Sequence, residues 1–338
     1  MASITDVAKA AGVSVATVSR VLSNKPHVRP ALQARVFAAV ELLDYQPSRV
    51  ARSLRMQRSQ VFGLIIPDIQ NPFFTAFARA VEDVAHRHQH AVFLCNTDED
   101  EEKEKLYVDL VEAEQVAGVI IAPTREEDSP CRWLIEAGIP VVAVDRRLPG
   151  LLVDTVLVDN ADCATALVRH LIDEGHDRIA AIVGPSTTTT GRERFEGYQR
   201  ALKDAGIQYR PEDVRAGHYT EETGMRLAME LLDQLDPPRA LLAANNLLGA
   251  GALAAVQARN LALPDDLALV VIGETPCMRL VNPSLTVARL PIYEMGVTAA
   301  SLLLERIVDR SAPPREIVLH SQVVIGESSL LRSRIRLD

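Results

Sequence analysis

From Val61 onward, short uninterrupted apolar runs alternate with longer amphipathic stretches, a pattern that few folds accept. The runs cover residues 61–66, 91–95, 118–122, 140–144, 178–183, 240–244 and 267–272. They are rich in Val, Ile, Leu and Ala and do not alternate with polar residues, which is how strands covered on both faces read. Between them, residues 73–88, 101–115, 163–174, 192–205, 223–234 and 249–260 carry helical periodicity. Strand–helix alternation predicts an α/β body with parallel, doubly wound sheets. The strands are too numerous for one comfortable sheet, and the pattern breaks into two halves near Asp159-Asn160. The acidic stretch 98–104 reads as a solvated helix start favoured by the helix dipole rather than as a site.

The residues before this body read differently. Thr5 is a suitable N-cap for a helix beginning at Asp6, and Gly12 falls where that helix must stop in a left-handed residue. Ser14 caps a second helix, with Thr17 three residues on. Ala8 allows a close crossing, and Val7, Val18, Val21 and Leu22 fill it. This is a helix-turn-helix, whose second helix fits a DNA major groove. Pro30 opens a third helix with Leu32, Val36, Ala39 and Leu43 at helical spacing, enough to close a small core. A short arginine-rich stretch, residues 45–55, follows, with Leu54 its prominent apolar residue.

Charge separates the two parts. Residues 1–60 hold nine Lys/Arg against Asp6, Glu41 and Asp44, a balance of +6, so the rest carries −15 of a total of −9. A basic head on an acidic body suits a protein that meets phosphate at one end only. Cys95, Cys131, Cys163 and Cys277 are widely spaced and read as reduced thiols rather than a metal or disulfide framework. His86, His88 and His90 alternate at a helix end, where a solvated terminus is favoured over a metal site. No secretory signal and no apolar run near the ~20 residues of a membrane span are evident, so a cytoplasmic protein that does not enter membranes is expected. The tail 328–338 is too short for a heptad zipper, so nothing beyond a dimer is expected.

The runs from Thr5 to Leu22 and from Tyr45 to Arg55 resemble the lactose/galactose repressor (LacI/GalR) family of bacterial transcription regulators. The resemblance continues at Asn71-Pro72-Phe73-Phe74, Val158-Asp159-Asn160, Gly175-His176-Asp177-Arg178-Ile179 and Arg194-Phe195-Glu196-Gly197-Tyr198, and so spans essentially the whole chain, with ribose-type members the most similar. It implies a helix-turn-helix head at residues 1–47 and a hinge helix at 48–59. It implies a periplasmic-binding-protein-like core of two Rossmann-like subdomains, residues 60–160 with 290–320 and 161–289 with 321–338. It also implies a homodimer on palindromic operator DNA, a small-molecule effector in the cleft, and no cofactor, metal or catalytic residue.

On that resemblance Val15, Ala16 and Arg20 face base edges, arginine donating to guanine and the two apolar residues meeting a thymine methyl. Thr17, Ser19, Ser23, Asn24 and His27 are placed to contact phosphates, which fix register. Arg29 stands where the family has a capping serine; it cannot cap, but it can meet phosphate. Thr5, Ser14 and Tyr45 complete the head's set, and Ser48, Ala51, Arg52, Leu54 and Arg55 that of the hinge, with Leu54 wedged into a minor-groove step. The effector set is Phe73, Phe74, Arg146, Arg147, Asp159, Thr190, Arg192, Arg194, Tyr219, Asn246 and Glu274. Asp145-Arg146-Arg147 follows a strand end, where open α/β sheets place ligands. The family commonly has Asn-Asp where this chain has Asn245-Asn246, and an aspartate pair where it has Glu274-Thr275. Fewer acceptors beside several arginines hint at a sugar acid or sugar phosphate, although Glu274 can take over as acceptor, and a neutral pentose or hexose remains the default choice. The alternatives are an enzyme or a transport-type binding protein with the same cleft. No Gly-x-Gly-x-x-Gly after a strand and no Gly-x-Ser-x-Gly elbow supports the first, and the basic head opposes the second.

Overall fold

The structure, a computed structural model, describes residues 2–22, 28–45, 59–127 and 129–330. The chain divides into two compact units, Met1–Ser59 and Gln60–Asp338.

The first unit holds α1 (Ile4–Ala11), α2 (Val15–Leu22) and α3 (Pro30–Leu42). The expected Thr5 cap is corrected: α1 starts earlier, on Ser3. Ser3 Oγ accepts from Asp6 N at 3.3 Å, while the Asp6 carboxylate accepts from Ser3 N at 2.9 Å. This reciprocal capping box satisfies two first-turn amides, and a cap at Thr5 would forgo it. The Asp6 carboxylate also accepts from Ser3 Oγ at 2.7 Å, and these two bonds from Ser3 hold its carboxyl below the ordinary value. Gly12 ends α1 at φ +61°, and a Cβ there would lie 2.5 Å from Arg35 Nη2. Ser14 Oγ accepts from Thr17 N at 3.2 Å and caps α2. Val7, Ala8, Ala11, Val18, Val21, Val36 and Ala39 form the buried core of this unit.

The second unit contains two six-stranded sheets. The first is ordered β11-β5-β4-β3-β1-β2, from β1 (Val61–Ile66), β2 (Ala91–Asn96), β3 (Gly118–Ile121), β4 (Val141–Val144), β5 (Asp154–Val158) and β11 (Glu316–Leu319), and every pairing in it is parallel. The second is ordered β12-β10-β9-β8-β6-β7, from β6 (Ala180–Val183), β7 (Val214–Ala216), β8 (Ala240–Ala243), β9 (Ala268–Ile272), β10 (Thr286–Arg289) and β12 (Gln322–Val324), with only β12 antiparallel. Sheet membership changes between β5 and β6, between β10 and β11, and between β11 and β12.

Helices cover both faces of each sheet, which is why the strands read as unbroken apolar runs. Against the first sheet, α4 (Pro72–Arg87) and α11 (Ile292–Val308) pack Phe77, Val81, Met295 and Leu303 on Phe62, Leu64 and Ile66. On its other face, α5 (Glu101–Ala113) and α6 (Cys131–Glu136) pack Val108, Val111 and Leu134 on Ile65, Val119 and Ile121. Around the second sheet, α9 (Glu221–Leu232) and α10 (Asn246–Ala258) cover one face, and α7 (Asn160–Asp173) and α8 (Thr189–Asp204) the other. Burial pushes the thiols of Cys95 and Cys163 up to about 11 and that of Cys131 up to about 12, so these three are poor nucleophiles. Among the described residues, no helix is long and apolar enough to cross a membrane.

Candidate functional sites: a DNA-reading helix and a two-walled cleft

On α2, Val18 and Val21 turn inward while Val15, Ala16 and Arg20 turn to solvent. Val15 is 37% exposed where core valines of this unit are at 0–4%. Its side chain is therefore available to a partner rather than committed to packing. Thr17 and Ser19 are half-buried, and Thr17 Oγ1 bonds Ser14 Oγ at 2.9 Å. Thr5 is exposed inside α1, and Tyr45 packs against the head core. Arg29 precedes α3 without a side-chain capping bond, as its chemistry requires. Ser23, Asn24, His27, Ser48, Ala51, Arg52, Leu54 and Arg55 lie outside the described residues.

In the second unit the carboxyl ends of strands from both sheets face one cavity of about 1140 Å³. Such ends are where open α/β sheets bind ligands. Phe73, Phe74, Arg146, Thr190, Arg192, Arg194, Tyr219 and Asn246, all expected at the effector site, line it. Phe73 and Phe74 meet edge-on with ring centroids 4.9 Å apart. Tyr219 Oη lies 3.2 Å from Thr190 Oγ1. Gly184 makes that placement possible, since a Cβ there would fall 2.0 Å from Tyr219 Oη.

Three expected residues do not line this cavity. Arg147 is bound by Glu316 at 2.9 Å and by Glu193. The carboxylate of Asp159 accepts from Ser321 N at 2.9 Å, bracing one inter-sheet connection against another. Glu274 is held by Arg279 at 2.7 Å and Arg289 at 2.8 Å, and these partners outweigh burial to keep its carboxyl below the usual range. In each case an ion pair or a backbone amide from elsewhere in the chain satisfies the group that the sequence offers to a ligand.

Other residues enter the wall unforeseen. The acidic stretch 98–104 is more than a solvated helix start: it contributes Asp98, Glu99 and Glu101 to the cavity, while Asp100 caps α5 and Glu104 is buried. Glu99 pairs with Arg146, which also donates to Pro123 O at 2.9 Å and is 1% exposed. Burial would lower the Arg146 guanidinium, but Glu99 outweighs it and holds it above its ordinary value. Neighbouring Asp145 is buried at φ +63°, and burial raises its carboxyl despite nearby Arg146 and Arg194. Arg194 donates to neutral acceptors, Asn160 Oδ1 at 2.9 Å and Ala244 O at 2.9 Å. Asn71 caps α4, its Oδ1 accepting from Phe73 N at 3.0 Å, and the same oxygen accepts from Asn246 Nδ2 at 2.9 Å across the cleft. The amide at 246 is therefore a required donor; it is not only a missing acceptor. Each arginine expected at the site is already partnered, so the sequence-based case for an anionic ligand is weakened.

Residues 3–48 match the bacterial regulatory proteins of the lacI family, and residues 59–325 match the periplasmic binding proteins and sugar binding domain of the LacI family. The chain belongs to the LacI family. It is similar to the ribose operon repressor of Halalkalibacterium halodurans, 35% identical over 97% of each chain. Among solved structures it resembles a Lac repressor dimer bound to operator and the anti-inducer ONPF (TM-score 0.85, 25% identity, covering 98% of this chain and 99% of that one). It also resembles a transcriptional regulator CelR–cellobiose complex (TM-score 0.74, 29% identity, covering 97% and 100%). This LacI-family chain is a DNA-binding transcription regulator, and its helix-turn-helix head and two-sheet body match the family over nearly their whole length.

Proposed function

We propose that this regulator is a homodimeric repressor that reads palindromic operator DNA through α2 and lets go when a small sugar or sugar derivative fills the cleft. The observation that carries the reading is the cleft itself: its walls come from the strand ends of both sheets, and Asn246 already bonds across it to Asn71. A ligand held by both walls favours one arrangement of the halves, and it switches the protein only if the DNA-bound arrangement binds it with a different affinity. Phe73 and Tyr219 offer rings for the apolar face of a sugar, and Asp145 and Arg194 offer an acceptor and donors for hydroxyls. A relative named as a ribose operon repressor and a structural neighbour solved with cellobiose support a sugar.

A neighbour solved as a dimer on operator supports the partner assignments. So do Phe93 and Leu94, exposed on β2 at a sheet edge, and Leu106 and Leu110, exposed on α5. Leu54 remains the proposed minor-groove wedge and the cytoplasm the proposed compartment. The cleft binds its ligand without transforming it.

The test uses full-length protein and a randomised palindromic DNA library. Selected fragments should bind with a steep salt dependence. Arg20→Ala should cost about 1–3 kcal/mol and relax selection at one base position in each half-site. A thermal-shift screen against sugars, sugar acids and sugar phosphates should give a hit that also changes operator affinity. Salt-insensitive binding without selected sequences would refute the proposal.

A further inference from the structure

Glu126 is a buried carboxylate in the wall of the cleft. It follows β3 in the first half and is only 6% exposed. Its Oε1 accepts from Thr189 N and Thr189 Oγ1, and its Oε2 accepts from Arg192 Nη2 at 3.0 Å. Thr189 and Arg192 belong to the first turn of α8, on the opposite wall. A first-turn amide, a hydroxyl and a guanidinium converging on one carboxylate make up an anion seat. Arg147 N, from the Glu126 side, donates to the same Thr189 Oγ1 at 3.0 Å, so the hydroxyl is oriented toward Glu126. The seat opens onto the ligand cavity, since Thr190 and Arg192 line it too.

We infer that Glu126 is a built-in anion that occupies this seat, so that the site takes neutral polyhydroxy ligands and refuses sugar acids and sugar phosphates. The inference rests on the cleft being the effector site. The neighbouring charges agree with it. Arg146 is neutralised by Glu99, and Arg194 is engaged by an amide and a carbonyl oxygen with the Asp145 carboxyl close by, so an anion approaching Arg194 would also meet Asp145. An anionic group arriving at α8 would have to expel a buried carboxylate and separate it from Arg192, and a hydroxyl asks for neither. Glu126 thereby also ties the two walls together before any ligand enters.

The test titrates inorganic phosphate, at constant ionic strength made up with chloride, into full-length wild type, Glu126→Ala and the double variant Glu126→Ala with Arg192→Ala. Trp133, the chain's single tryptophan, is 44% exposed on α6, the next helix after Glu126, and reports alongside melting temperature. Wild type should show no saturable response. Glu126→Ala should bind phosphate at least tenfold more tightly than wild type, and the double variant should lose that gain. Should Glu126→Ala not melt cooperatively, Glu126→Gln serves, because its amide keeps the volume but points a donor at Arg192, and it should gain the same response. Saturable phosphate binding by wild type, an equal gain in the double variant, or no gain in either single variant overturns the assignment. No DNA or sugar is involved, so failure here leaves the regulator reading standing, and failure of operator binding leaves this result standing.

Discussion

Asn246→Asp swaps an amide nitrogen for an oxygen at nearly constant volume, so its effect reports a hydrogen bond and nothing of packing. Asn246 Nδ2 donates to Asn71 Oδ1 at 2.9 Å, and that oxygen is fixed as an acceptor because it also takes Phe73 N at 3.0 Å. The two residues are 4% and 5% exposed, so water does not replace a lost partner. Aspartate forfeits about 1 kcal/mol of net hydrogen bonding and adds about 1–3 kcal/mol for two buried acceptors set face to face. Its place at the first position of α10 returns roughly 0.3–1 kcal/mol through the helix dipole. The net loss is about 1–4 kcal/mol. Asn246→Ala loses the bond, about 1 kcal/mol, and the packing of a small amide, but it sets no acceptor against Asn71, which keeps its Phe73 amide. The isosteric variant should therefore be the less stable of the two.

Urea unfolding of the full chain, followed by Trp133 emission, gives the comparison. The pH dependence has a definite sign. A buried carboxyl facing an acceptor has its folded pKa raised, because the protonated form can donate to Asn71. The defect is absent below the unfolded carboxylate pKa and develops as pH rises through the folded one. It should therefore fade on acidification. Asn246→Asp matching or exceeding Asn246→Ala in stability at pH 7, or a defect indifferent to pH, would refute the cross-cleft bond.

Two further outcomes are expected. Gly12→Ala should destabilise the head by about 1 kcal/mol, because alanine disfavours the left-handed conformation while the flexible Arg35 guanidinium can move aside. Amide exchange at Val18 and Val21 should then quicken roughly fivefold, and unchanged exchange would contradict the turn geometry. Asp145→Asn should raise the melting temperature at pH 7. Burial raises the Asp145 carboxyl in the folded state, so its penalty appears as pH rises through that value and is absent in acid. A melting temperature that falls at pH 7, or a gain that persists below pH 4, would show that Asp145 is not strained by burial.

Legibility followed the range of the forces involved. Most strands buried on both faces were readable as unbroken apolar runs, as in β1, β3 and β4, but the central strands β5 and β10 were missed because Asp154 with Thr155, and Thr286 with Arg289, leave each only two or three consecutive apolar residues, and α11 was missed as well. β7, β11 and the short α6 were not readable either. The two strands lie at sheet edges, with partly exposed residues and no continuous apolar signal, and α6 is too short to show a period. The cap of α1 was misplaced by two residues because Thr5 and Ser3 are chemically equivalent caps, and only Asp6 reaching back to Ser3 separates them.

The chain's order of residues was enough to specify a basic three-helix head and a doubly wound body in two halves, because these follow from periodicity, local capping and net charge, while the aromatic and arginine side chains at the cleft were placed by the family resemblance. What remained for the tertiary structure was which charges are free. Glu99 and Glu126 meet their arginines at separations of 47 and 66 residues, and Asn246 meets Asn71 at 175. Hydrogen bonding and ion pairing act over a few ångströms, so their partners are chosen by how the two sheets bring strand ends together, and no local pattern in the chain encodes that choice.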